Sequence, residues 1–138
     1  MGSRPWDYVT KWEPDLNAVV ERAQRETLAS GSFGGEWGKR ELPPNPTIAD
    51  VRAAYEYDGS GSVIDVLRLE SEPGAEVAGP FSDEVLLDVF GTVKPTRAQA
   101  YERFYELLEL LQRGETAYVV LFEGEKPNEV LFLGQTAD

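Results

Sequence analysis

The chain has 138 residues, of which 41% are hydrophobic and 28% charged, and its 25 acidic residues against 13 basic ones give a net charge of −12. This length and composition predict one folded domain over residues 1–138 and exclude a disordered chain. The negative charge argues against binding to nucleic acid or to an anionic membrane surface, because both repel an acidic protein.

The first third of the chain predicts a strand followed by a helix. Residues 6–10 combine aromatic and β-branched side chains, which is typical of a strand. A helix follows, with Asp15 as its N-cap and Gly31 at its end. Its buried stripe is predicted from apolar spacing at Leu16, Val19, Val20, Ala23 and Thr27.

The middle of the chain predicts a long loop, a short helix and a second strand. Residues 31–46 are rich in glycine and proline, which indicates a functional or mobile loop. Thr47 and Asp50 resemble a capping box and open a helix to about Tyr55. A turn over residues 58–61 leads into a predicted strand at 62–69, which we expect to be covered on both faces for part of its length.

The last part of the chain predicts two helices and a hairpin. Ser82 caps a short helix that ends at Gly91, and Thr96 caps a long helix over residues 97–113. Residues 117–122 predict a buried central strand, residues 125–128 a turn, and residues 130–133 the return strand. The fold class is therefore predicted as α+β, a small and mostly antiparallel sheet with helices packed on it, in the order β-α-α-β-α-α-β-β.

Several segments together carry a resemblance to a known family. They are residues 8–10 with Asp15, residues 62–66, the Phe-Gly-Thr-x-Lys-Pro-Thr-Arg segment at 90–97, and the closing hairpin through residues 134–138. The chain resembles a family of small, acidic, uncharacterised bacterial proteins, and the segment at 90–97 is the most specific part of this likeness. Trp12 stands where that family often has tyrosine. The resemblance implies no catalytic residue.

The chain contains neither histidine nor cysteine, so no Ser-His-Asp triad, no Cys-His pair and no ordinary zinc site is available. A calcium loop beginning at Asp58 fails because Val63 and Leu69 stand where glycine and glutamate are needed. Glu102, Glu106 and Glu109 share one helix face, which we interpret as a solvated surface. No catalytic residue, metal ligand or cofactor is predicted.

Three groups of side chains remain as candidates for binding. The first is aromatic and would form a pocket wall or a hydrophobic cluster under the long loop; it comprises Trp6, Tyr8, Trp12, Phe33 and Trp37. In a small-molecule site, Tyr55 and Tyr57 would join Trp12, Phe33 and Trp37. The second is acidic: residues 69–93 hold six acids and no base, and Glu70, Glu72 and Glu76 begin this stretch. The third is basic: Lys94 and Arg97 would hold an anion at a helix start or would pair with acids.

These features favour a non-enzymatic binding protein. The first hypothesis is a protein-interaction module of the immunity or antitoxin type, whose negative charge steers a basic partner; the alternative interpretation is that the charge only maintains solubility. The second is a protein that binds or sequesters a small aromatic or apolar molecule, and the third is a carboxylate-dependent enzyme. The lack of a signal peptide or membrane segment predicts a cytoplasmic protein, and free strand edges permit a monomer or a homodimer.

Overall fold

The two longest strands form a hairpin at the centre of the sheet, β5 (Glu115–Glu123) and β6 (Lys126–Gln135). The structure, a computed structural model, describes residues 4–34, 40–57 and 59–136. The predicted turn at 125–128 is wrong by about two residues, because the chain turns at Gly124 and Glu125. Gly124 has a φ of 62°, which glycine adopts without steric cost.

Four further strands flank the hairpin to make a six-stranded sheet. They are β1 (Pro5–Lys11), β2 (Arg68–Leu69), β3 (Gly74–Ala75) and β4 (Val77–Pro80). The order in space is β1-β6-β5-β3-β4-β2, with an additional pairing between β4 and β5. β1 lies antiparallel to β6 at one edge, and β2 forms the other edge.

The α+β class is confirmed, but the predicted mostly antiparallel sheet and its element order are corrected. The sheet is mixed, because β4 runs parallel to β5 and β2 runs parallel to β4. The helices between β4 and β5 form the crossover connection that two parallel neighbouring strands require. These helices are α3 (Asp83–Phe90), α4 (Arg97–Glu102) and α5 (Phe104–Glu109).

The predicted strand at 62–69 is wrong over most of its length. Val63–Asp65 form a 3-10 helix, and only Arg68–Leu69 join the sheet. The Ser62 side chain caps the 3-10 helix by accepting a hydrogen bond from the Ile64 amide at 3.2 Å. Val63, Ile64 and Val66 are buried as expected, so the apolar run belongs to a buried turn.

Local capping chemistry places the N-terminal ends of four helices where the sequence predicted them. Asp15 caps α1 (Leu16–Ser30), and Thr47 with Asp50 forms the capping box of α2 (Ile48–Ala54). Ser82 and Thr96 cap α3 and α4, and left-handed glycines end α1 and α3. The predicted helix at 97–113 is interrupted at Arg103 and ends at Glu109, although this stretch contains neither glycine nor proline.

The sheet is covered on both faces. Val130 and Phe132 of β6 pack towards α1, with Val19, Val20 and Ala23. The alternate residues of β6 pack towards α4 and α5 on the opposite face, in a cluster with Ala100, Leu107 and Leu108. Four consecutive residues of β6, from Val130 to Leu133, are therefore buried. Among the residues described, no helix combines the length and apolarity needed to cross a bilayer.

Candidate binding sites: a cleft and an acidic surface

A cleft of about 330 Å³ lies at the end of the sheet where β1 and β5 begin and β6 ends. Thr116 and Gln135 of the central hairpin and Ala75 of β3 line it from the sheet. The end of α2 and the segment from Gly59 to Leu67 line it from the opposite side. The amide of Gly114 donates to the Gln135 carbonyl at 3.0 Å, which fixes the start of β5 against the end of β6.

Trp6 supplies an aromatic wall of the cleft because a glycine faces it across the sheet. Trp6 of β1 pairs with Gly134 of β6. A Cβ atom added at Gly134 would lie 2.8 Å from the indole ring, so the ring rests directly on the glycine backbone. Gly134 therefore makes room for the ring that lines the cleft.

Arg52 brings a positive charge into the cleft and is held by backbone carbonyls. Its Nε donates to the Ile64 carbonyl and its Nη2 to the Val66 carbonyl, each at 2.9 Å. Arg113 lines the same cleft. Within the described part of the chain neither arginine forms an ion pair. Three acidic residues line the cleft together with these two arginines: Glu56, Asp65 and Glu76.

Asp65 organises the loop at the opposite wall. Its carboxylate accepts hydrogen bonds from the Ser60 amide at 2.9 Å, the Ser60 hydroxyl at 2.6 Å and the Gly61 amide at 3.2 Å. Gly59 and Gly61 have positive φ values of 81° and 67°, which let the loop curl around the carboxylate. Burial raises the pKa of Asp65 even though these hydrogen bonds act in the opposite direction.

The structure places the predicted aromatic residues in different parts of the fold. Tyr55 and Tyr57 line the cleft, Tyr55 being buried and Tyr57 91% exposed. Phe33 meets Tyr55 edge to face at 6.2 Å, in a hydrophobic cluster with Val51 under α2. Among the described residues, Phe33 is the one member of the predicted aromatic cluster found here, because Trp6 and Tyr8 pack against the core on the α1 side. Trp12 packs against the core on the α1 side of the sheet, and Trp37 lies outside the described residues.

Three charged cleft residues were not singled out from the sequence: Arg52, Asp65 and Arg113. The spacing of Ser62 and Asp65 matches a capping box, which is the signal that marks Asp65 as a residue that orders its loop. No local pattern marks Arg52, because its partners are carbonyls 12 and 14 positions away. Glu56 and Glu76 also line the cleft but are exposed, so the described residues do not place two buried acids together there.

The acids of residues 69–93 are exposed in the structure, in a stretch that runs through β3, β4 and α3. We define the acidic surface by these six residues: Glu70, Glu72, Glu76, Asp83, Glu84 and Asp88. Glu76 is the member that lines the cleft. Of these six acids, Glu70 forms an ion pair, with Arg68 at 2.6 Å. The other five carboxylates are exposed and have no ion pair with any base in the described part of the chain.

Lys94 and Arg97, the predicted anion-binding bases, are both paired with the hairpin. Lys94 forms an ion pair with Glu125, and Arg97 contacts Glu129 at 3.2 Å. This matches the alternative prediction, in which the two bases pair with acids. No group of three or more acidic side chains among the described residues is arranged to hold a metal ion.

Tyr8 of β1 is hydrogen-bonded to Glu26 of α1, and absorbance titration of its phenol tests this contact. Its hydroxyl donates to Glu26 Oε1 at 3.0 Å, and burial together with this carboxylate raises the pKa of Tyr8 to about 12. The neutral phenol is favoured in the folded state, so its contribution to stability is present below pH 10 and is lost as the pH rises through 12.

Burial also raises the pKa of Tyr101 and Tyr118, so several tyrosines ionise late in the folded protein. We expect the absorbance change near pH 12 to be smaller in Tyr8→Phe than in the wild type. Glu26→Gln should move the ionisation of Tyr8 towards pH 10. An absorbance change near pH 12 of the same size in Tyr8→Phe and in the wild type would contradict the assignment.

Comparison with protein-family models, with curated proteins and with solved structures gives no match for this chain. The function is therefore argued from the geometry of the cleft and the acidic surface.

Proposed function

We propose that this chain is a protein-recognition module of the immunity or antitoxin type, and that its acidic surface binds a basic protein. One observation carries the proposal: all six acids of this surface are exposed, and within the described residues only Glu70 is paired with a base. Unpaired surface carboxylates accelerate encounter with a basic partner and repel acidic ones.

Four bases elsewhere in the protein are paired with acids outside this surface. Arg22 pairs with Glu13 at 3.0 Å, and Arg103 pairs with Glu106 at 2.7 Å. Lys94 and Arg97 pair with the hairpin. The residues from 69 to 93 contribute no base at all, so the negative charge of the chain is least compensated on this surface.

An exposed leucine lies within the acidic surface. Leu87 of α3 is 53% exposed and borders a shallow depression with Val85, Glu84 and Asp88. Interfaces commonly combine an apolar anchor with polar residues that surround it. The partner of this surface therefore carries lysine or arginine side chains around an apolar residue. A cytoplasmic location and a bacterial source are part of the proposal.

Affinity capture with the immobilised protein tests the proposal. At low salt we expect a basic protein to be retained, and we expect it to be released at high salt because exposed charge pairs are screened. Failure to retain any basic protein at low salt would count against the proposal. Retention that does not change with salt would also count against it, because the acidic surface would then not carry the interaction.

The cleft supports a second candidate function, the binding of a small aromatic molecule. Trp6 and Tyr57 offer aromatic surface, while Arg52 and Arg113 bring positive charge that no described acid pairs. A flat ligand with an acidic group fits this combination.

Tryptophan fluorescence across a library of aromatic carboxylates tests this candidate. We expect a ligand to change the emission of the wild type and of Trp12→Phe, whose indole lies outside the cleft, but not of Trp6→Phe. The absence of any response from the library, or an undiminished response in Trp6→Phe, would contradict binding in the cleft.

A further inference from the structure

Among the described residues, no strand pairs with the outer edge of β1. The pairing with β6 determines which hydrogen-bonding groups this edge presents. Trp12 donates its amide to the Asn128 carbonyl at 3.0 Å, and Thr136 donates to the Arg4 carbonyl at 3.0 Å. The register between these ends is continuous. In an antiparallel pair, alternate residues exchange hydrogen bonds with the partner. The even-numbered residues of β1 therefore bond to β6, and the odd-numbered residues direct their amides and carbonyls outwards.

The outward-facing residues are Asp7, Val9 and Lys11, with Pro5 at the start of the strand. β1 stands at the end of the strand order, so the sheet itself does not use these groups. Asp7 and Lys11 are exposed, and Val9 is half-buried against the core. An edge with free backbone groups over this length is a template for another strand.

We propose that β1 pairs antiparallel with β1 of a second copy of this chain, with the two-fold axis at Val9. Three symmetric registers differ only by small shifts of the two strands. Their two-fold axes pass through Asp7, Tyr8 or Val9. A centre at Asp7 would place two aspartates opposite each other, which is unfavourable. A centre at Tyr8 would place Asp7 opposite Val9. Only the centre at Val9 places Asp7 opposite Lys11, and the symmetry repeats this pair.

The same register also pairs aromatic residues on the other face of the sheet. The even-numbered residues point towards α1, since Tyr8 and Thr10 both donate to Glu26 of that helix. With Val9 at the centre, Trp6 lies opposite Trp12 of the second copy, and this pair occurs twice. These would be non-hydrogen-bonded positions, where opposing side chains come closest and aromatic pairs are favourable.

The two faces therefore select the same register independently. On the face towards α4 the selection is electrostatic, because Asp7 and Lys11 carry opposite charges. Asp7 already accepts a hydrogen bond from the Tyr101 hydroxyl at 2.7 Å, which orients its carboxylate. On the face towards α1 the selection comes from the tryptophans. A two-fold pairing of this kind is closed, so it yields a dimer and no filament.

Sedimentation analysis of the full chain tests the proposal by comparing the dimer dissociation constant of the wild type with that of variants in which the charges at positions 7 and 11 are changed. We expect a wild-type dimer, and we expect Lys11→Asp or Asp7→Lys to raise the dissociation constant about tenfold or more, because two attractive pairs become repulsive. The double variant Asp7→Lys with Lys11→Asp restores opposite charges and should restore the dimer. Lys126→Asp makes the same change in net charge at an exposed position of β6 and should leave the dimer intact.

A wild type that stays monomeric over the whole concentration range would overturn the proposal. A double variant as weak as the single variants would also overturn it, as would an equal weakening by Lys126→Asp. If circular dichroism shows that the Asp7 variants do not fold, hydrogen exchange of the wild type decides the question. Protection of the Asp7 and Val9 amides that grows with protein concentration supports the dimer, and its absence overturns it.

Discussion

Replacing Gly79 with alanine should lower the free energy of unfolding by about 3 kcal/mol or more, among the larger effects of single substitutions. Gly79 is buried in β4 and pairs with Ala117 of β5. A Cβ atom at this position would lie 2.1 Å from the carbonyl carbon and oxygen of Glu72. These are backbone atoms of the connection from β2 to β3, so relief of the clash requires the sheet edge itself to move.

Two other glycines supply matched controls for chemical denaturation of Gly79→Ala. In Gly74→Ala the new Cβ would meet only a Val77 methyl group, at 2.9 Å. In Gly91→Ala it would meet nothing within 4 Å, although the φ of 72° adds strain of about 1 kcal/mol. We expect both controls to lose less stability than Gly79→Ala. Equal losses in all three would contradict the close approach of Glu72 to β4.

Asp65→Asn should cost about 2 kcal/mol of stability at neutral pH, because the amide keeps only one of the two oxygen atoms that accept hydrogen bonds from the loop. One amide oxygen can still accept from Ser60, but the amide nitrogen would then face the Gly61 amide, which donates to Oδ2 in the wild type. Asp88→Asn removes the same charge from an exposed position of α3 and should change stability by less than about 0.5 kcal/mol.

The pH dependence of the Asp65→Asn effect has a definite sign. Burial raises the pKa of Asp65, so the folded state takes up its proton at a higher pH than the unfolded chain. The wild type therefore gains stability as the pH falls from 7 through the raised pKa, and the variant lacks this gain. The difference in stability between the two should be larger at about pH 5 than at pH 7. A smaller difference at pH 5 would show that hydrogen bonding outweighs burial at this carboxylate.

The N-terminal ends of four helices could be predicted from the sequence because they depend on local capping interactions. Each cap joins a side chain to a backbone amide only two or three positions away, so both partners are visible in the sequence. These caps are at Asp15, Thr47, Ser82 and Thr96. The exposure of the acidic stretch follows equally directly, since carboxylates without nearby bases are rarely buried.

Long-range contacts set the features that the sequence did not predict. The parallel pairing of β4 with β5 joins segments that are separated by the three helices α3, α4 and α5. The cleft depends on Trp6 resting on Gly134 and on Arg52 reaching the carbonyls of residues 64 and 66. The apolar run at 62–69 was misassigned because burial on all sides removes the polar alternation that separates a strand from a buried turn.

Binding by charge-matched variants tests the central claim most directly. One variant carries Asp83→Asn, Glu84→Gln and Asp88→Asn on the acidic surface, and the other carries Glu21→Gln, Glu102→Gln and Glu109→Gln at exposed positions elsewhere. Both have the same net charge. We predict that a basic protein captured by the wild type at low salt is retained by the second variant and lost from the first. Equal retention by both variants, or equal loss from both, would contradict recognition through the acidic surface.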